Sequence, residues 1–193
     1  YCIFWENQNF IKIHFINKLP KFSNFLINYG KIYYMRIKLK DTVRDKLVDA
    51  QLILAEKVDM PLTKNGWKFE WNKLFDEGGT FYKVIIDEEP QVIQGIMKFS
   101  IDSNEMFYLE NVEIAPHNYG SKGRYDYVAG CLFAYACKQS KILGKGNYEG
   151  WVVFDSKTIL IEFYQNKYGA TIVHGQRMFF DPETGDKLIA QYL

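Results

Sequence analysis

Two stretches of this chain combine glycine, cation and hydroxyl chemistry at spacings that suit one site. The first, Tyr108–Ala136, reads as a strand, a glycine-rich turn holding Gly120, Ser121, Lys122, Gly123 and Arg124, and then an amphipathic helix. A strand that feeds a glycine turn and a helix N-terminus is suited to holding phosphate, because the first amides of the helix lack partners and its dipole favours anions. The second, Trp151–Ala170, reads as a strand followed by a helix that carries Tyr164 and stops at Gly169, a residue suited to the left-handed position after a helix end. Two successive strand–helix units build a parallel pair with a crevice at the strand ends.

The surrounding pattern supplies the elements that must position these residues. Met35–Lys40 alternates apolar and basic residues as a short edge strand does. The stretch Asp41–Lys57 places Val43, Leu47, Ala50 and Leu54 at helical spacing, with Asp41 or Thr42 as the cap, and predicts a helix ended by Pro61. Trp67–Phe75 predicts a second short helix, broken at Gly78 and Gly79. The runs "TFYKVIID" and "QVIQGIMKFSID" alternate as strands of a hairpin, and "MFYLENVEIA" makes a third strand antiparallel to the second. Helices are expected over Val128–Ser140 and Thr158–Tyr168, with a strand at Trp151–Phe154 between them and a closing hairpin around Gly175. Pro182 is set for a helix start in a tail that either packs on the domain or joins a homodimer contact. No repeat or linker divides the sequence, so a single α/β domain with a mixed sheet is expected.

Bulk properties exclude several classes. The chain has 193 residues, 48% of them hydrophobic and 24% charged, which is the composition of a folded globular protein. A net charge of +1 gives no electrostatic case for nucleic acid as a partner. Cys2, Cys131 and Cys137 show no paired spacing, and His14, His117 and His174 are scattered, so neither a disulfide framework nor a metal site is expected. No run is apolar and long enough to span a bilayer and no secretory leader pattern opens the sequence, so a cytoplasmic protein without a membrane partner is expected. Residues 1–34 differ from the rest: roughly seven in ten are Phe, Ile, Asn, Lys or Tyr, types that share AT-rich codons, and none after Glu6 is acidic. Met35 is therefore expected to be the natural start, with 1–34 a non-native or poorly ordered extension of a domain over 35–193. An apolar arm packed on the domain is the alternative.

The order of elements and two motifs resemble the GNAT N-acetyltransferase superfamily. "YLENVEIAP" is similar to the family's fourth strand, with Glu110, Ile114 and Pro116 in its pattern, and "EFYQNKYGA" is similar to its Phe-Tyr-x-x-x-Gly-Phe helix, with Phe163, Tyr164 and Gly169. The match departs at Ala170, which stands where Phe is usual, at Lys157, where Asn is frequent, and in the glycine loop. There Gly120, Gly123 and Gly130 are more widely spaced than the family's Gln/Arg-x-x-Gly-x-Gly/Ala.

The resemblance implies a central twisted sheet flanked by helices, with two splayed parallel strands. It implies acetyl-CoA as cosubstrate, its pantetheine pairing with the strand near Val112 and Ile114, and its pyrophosphate over Gly120–Arg124 and the helix that carries Gly130. It also implies transfer of acetyl to a primary amine of a small molecule or protein, with Tyr164 protonating the leaving thiolate and Glu110 as base, directly or through water. The expected activity is N-acetyltransferase; a non-catalytic module on the same scaffold, binding a partner or sensing acyl-CoA, is the alternative.

Overall fold

The computed structural model describes residues 27–28, 31–32, 34–102 and 105–193. The expectation for residues 1–34 therefore lies almost wholly outside the described residues. Within that stretch, β1 (Ile27–Asn28) and β2 (Lys31–Ile32) pair antiparallel.

The chain then forms β3 (Tyr34–Asp41), over the strand expected at Met35–Lys40, and β4 (Lys46–Leu54), which pairs with it in a tight antiparallel hairpin where a helix over Asp41–Lys57 was expected. The reason is visible in the burial. Met35, Ile37 and Leu39 of β3 and Val48, Ala50 and Leu52 of β4 point to the core at a period of two, whereas Val43 and Leu47, which the helical reading needs inside, are 80% and 55% exposed. Asp41 makes a turn rather than a helix cap. Its Oδ1 accepts from the Val43 and Arg44 amides, its Oδ2 accepts from Arg44 Nε, and Asp45 closes the turn at φ 50°.

A loop-rich segment follows with one short helix, α1 (Trp71–Asp76), at the end of the expected Trp67–Phe75 element. β5 (Thr80–Ile86) and β6 (Glu89–Ile101) form the expected hairpin, and β7 (Phe107–Ile114) adds antiparallel to β6. After the glycine loop, β8 (Tyr125–Asp126) pairs with the outer edge of β3, and α2 (Val128–Leu143) begins. The unit β9 (Val152–Asp155) and α3 (Ile161–Tyr168) comes next, then the hairpin β10 (Thr171–His174) and β11 (Arg177–Phe180), and finally α4 (Pro182–Tyr192). Gly169 ends α3 in the left-handed conformation at φ 73°. The Asp181 side chain caps α4 by accepting from the Thr184 amide.

Among the described residues the main sheet has nine strands in the order β10-β11-β9-β7-β6-β5-β4-β3-β8, with β7 and β9 parallel. One face carries the main core. There α2 packs on β6 and β7, and Tyr82, Phe99, Phe107 and Tyr135 form a run of stacked and tilted rings. In the tail, α4 packs along α2 within the chain, as one of its two expected placements requires. The other face is covered by residues 55–81, where Trp67, Trp71 and Phe81 pack on Ile96 and Ala115. No helix among the described residues is long and apolar enough to cross a membrane.

Candidate acyl-transfer cleft

The site is built by one interruption in the sheet. β7 and β9 pair only through Phe107 with Val152 and Tyr108 with Val153. Beyond that register β7 runs on to Ile114 and β9 to Asp155 without further pairing, so the backbone groups of two inner strands face a gap. A cavity of about 670 Å³ fills it, reaching from Gly120, Ser121 and Gly123 past the start of α2 to Phe154 and Tyr164. That volume lies within the range of small-ligand sites, about 300–1,000 Å³.

The strand beside the gap carries a bulge. Lys98 lies opposite Asn111 and Phe99 opposite Leu109, which leaves Glu110 as the extra residue. The simple alternation of side chains puts Glu110 with Val112 and Ile114. The bulge separates them: Val112 and Ile114 pack toward the α2 core, while Glu110 turns to the other face and pairs with Lys98 Nζ at 2.6 Å. Lys98 is itself almost fully buried, and Glu110 still lines the cavity. Val112 and Ile114 line it too, at the opened stretch of β7.

Tyr164 reaches the cavity from the first turn of α3. Its ring stands edge-on to Phe154 at 5.6 Å and to Phe133 at 5.7 Å, which fixes its orientation. Burial raises its pKa above the ordinary phenol value, so the hydroxyl carries its proton throughout the neutral range. Tyr168, one turn on, is buried against Phe133 at 4.9 Å and behaves as core.

The expected phosphate cradle divides in two. Gly120, Ser121 and Gly123 line the cavity; Lys122, Arg124 and Gly130 do not. Arg124 is drawn to Glu89 at 3.3 Å and lies 5.1 Å over the Tyr125 ring. Gly130 faces the C-terminal helix: a Cβ there would stand 2.4 Å from the Tyr192 ring, so the glycine lets α2 and α4 close on each other. Gly123 has a comparable constraint, since a Cβ would meet the Asn118 carbonyl oxygen at 2.4 Å. Asn118 organises that loop, donating to Gln94 Oε1 and accepting from the Tyr125 amide. This explains the wide glycine spacing. The chain spends Arg124–Asp126 on a detour to the β3 edge before the helix begins.

The start of α2 opens on the cavity through Tyr127, Val128 and Ala129. No side chain caps it, which leaves the first-turn amides without helical partners. Tyr127 is held in the left-handed region at φ 76°, an unfavourable conformation for a residue with a Cβ and one that concentrates at functional sites. Cations come from outside the glycine loop: Lys157 after β9, noted in the sequence only as a departure from the family pattern, and Lys167 on α3 and Lys68 from the segment over the opposite face, which were not singled out there. Their convergence depends on tertiary packing, and no spacing rule connects them.

Glu113 lies on the same strand as Glu110, and simple alternation sets the two on opposite faces unless a bulge intervenes; the bulge at Glu110 does intervene. Glu113 is 6% exposed and lines the cavity, yet accepts four hydrogen bonds, from the Lys68 amide at 2.5 Å, the Phe69 amide at 3.3 Å, Trp71 Nε1 at 2.8 Å and the Tyr119 hydroxyl at 2.8 Å.

Solved structures share this architecture. The chain superposes on the crystal structure of AtaTR bound with acetyl-CoA with a TM-score of 0.50 at 11% identity, over 72% of this chain and 97% of that one. It superposes on the KacTA–DNA complex with a TM-score of 0.50 at 11% identity, over 74% of this chain and 99% of that one. The chain has the GNAT fold. No family model and no curated protein matches the sequence. The parted strand pair expected from the resemblance is present in this chain, with walls at Leu109–Ile114 and Phe154–Lys157.

Proposed function

We propose that the protein is an acyl-CoA-dependent N-acyltransferase that moves acetyl from acetyl-CoA to a primary amine of a small molecule or a protein. The observation that carries this reading is the separation of β7 from β9 after two paired positions, with a cavity running from the uncapped start of α2 to Tyr164. Such a gap suits a thin amide-bearing arm, which pairs with the freed edge of β7 near Val112 and Ile114. Its anionic end then rests on Gly120, Ser121, Gly123 and the first amides of α2, with Lys157 or Lys167 supplying charge.

The residues divide the chemistry as follows. The amine nitrogen attacks the thioester carbonyl carbon, forming a C–N bond, and main-chain donors of β7 stabilise the oxyanion. Glu110, at the bulge and fixed by Lys98, takes the surplus amine proton directly or through a water. The C–S bond breaks, and Tyr164, protonated at neutral pH, gives its proton to the thiolate and recovers one from solvent. Lys68 and Phe69 bound the side from which an amine enters.

Thermal unfolding with and without acetyl-CoA tests the reading. A ligand that binds only the native state raises the Tm, by about 2.7 kcal/mol of stabilisation at a hundred times Kd. Release of CoA on a panel of amines then separates an enzyme from a module that only binds. An unchanged Tm at millimolar acetyl-CoA would remove the assignment and favour a non-catalytic interaction protein.

A further inference from the structure

We propose that Glu113 is a positioning residue that couples the two substrate walls, so that occupation of the coenzyme loop is transmitted to the amine-side wall; this rests on the acyltransferase reading. A carboxylate offers about four acceptor sites, and all four of Glu113 are taken. Three go to one segment, through the Lys68 and Phe69 amides and the Trp71 indole. The fourth goes to the Tyr119 hydroxyl, at the tip of the loop that runs into Gly120–Gly123. The same two segments meet twice more. Lys68 Nζ stands 5.9 Å over the Tyr119 ring, and a Cβ on Gly66 would meet Pro116 Cγ at 3.1 Å.

One buried carboxylate, 45 residues from Lys68 in sequence, therefore ties the Lys68–Trp71 segment to the Tyr119 loop, and both line the cavity. With a donor on each acceptor site, the carboxylate has none left to offer a substrate. It is a strong clamp, since hydrogen bonds to a buried anion exceed those between neutral groups and leave an uncompensated charge when withdrawn. A ligand that shifts Tyr119 changes the donor set of Glu113, and the carboxylate answers by tightening or loosening on Lys68 and Phe69. By linkage the effect is reciprocal: an amine bound against Lys68 and Phe69 alters affinity at the loop.

Residue-resolved amide hydrogen exchange on the full chain tests this, in the wild type, Tyr119→Phe and Glu113→Gln, each alone and with saturating acetyl-CoA. Tyr119→Phe keeps the half-exposed ring and touches neither amide, so it isolates the coupling from the fold. The expected result is that Glu113→Gln speeds exchange at Lys68 and Phe69 by about tenfold or more, as for loss of a charge-assisted bond. Tyr119→Phe speeds the same amides about threefold, and acetyl-CoA slows them in the wild type but not in Tyr119→Phe. If Tyr119→Phe leaves the Lys68 and Phe69 rates unchanged, with and without acetyl-CoA, Glu113 is a local anchor and the coupling is overturned. If the wild type binds no acetyl-CoA, the acyltransferase reading fails, while the ligand-free comparison of the two variants still decides the coupling.

Discussion

Replacing Tyr164 by Phe separates chemistry from packing at this site. The ring is held by Phe154 and Phe133 in edge-on contacts at 5.6 and 5.7 Å, and Phe retains both. The substitution leaves no cavity, so the cost to stability should stay below about 1 kcal/mol, a Tm change of about 2–4 °C at most for a domain of this size. Acetyl-CoA affinity, set elsewhere along the gap, should stay within about twofold. The rate is where the loss appears. A positioned general acid contributes about 10²- to 10⁴-fold, so kcat should fall by that factor, about 3–5 kcal/mol of activation free energy.

The assay is thiol release from acetyl-CoA with an accepted amine, alongside calorimetric binding and a melting curve. Burial raises the phenol pKa, so the donor stays protonated, and no basic limb from Tyr164 should appear in the wild-type kcat profile below about pH 10. A Tyr164→Phe enzyme with kcat within twofold of wild type, normal binding and a normal melt would show that the hydroxyl donates nothing to the leaving group.

Four further outcomes are expected. Burial pushes the Cys131 and Cys137 thiols from the usual value near 9 up to about 12, so iodoacetamide at pH 8 should leave both unmodified in native protein and label them in denaturant; rapid native labelling would contradict this. The same raised pKa values make the unfolded chain lose these protons first, so stability should fall as pH rises through 9 toward 12, readable as a declining Tm. Gly130→Ala should lower stability by about 1–3 kcal/mol by driving Tyr192 off α2, and an unchanged melt would show that α4 yields freely. Lys167→Ala should weaken acetyl-CoA binding in a salt-dependent way while Arg124→Ala, whose guanidinium is engaged by Glu89, should not; the reverse order would show that the loop reorganises around the ligand.

The elements with a consistent local pattern were legible from the residues. The β5–β6 hairpin, β7, α2, the β9–α3 unit with its Gly169 stop, the closing hairpin and the Pro182 start all declare themselves through alternation, helical spacing or terminal signals. β3 was legible too, as the alternating run Met35–Lys40, but β4 was not, because Asp41–Lys57 satisfies both periods and shares Ala50 between them. The arbiter was not local. β4 lies between β3 and β5, and pairing on both edges makes an extended chain with Val48, Ala50 and Leu52 inward the arrangement that satisfies its backbone and buries its apolar face.

The same division runs through the site. Local pattern names the kinds of group near the gap: a tyrosine on a helix after a strand, carboxylates on the preceding strand and a glycine loop before α2. Which of them meet is set by long-range packing. One bulged residue sends Glu110 to Lys98 and away from Val112, the detour of Arg124–Asp126 to the sheet edge turns Arg124 to Glu89, and a remote segment delivers Lys68 and Phe69 to Glu113. Each of these is a register or packing choice between distant parts of the chain, and its free energy resides in contacts that no short window of sequence contains.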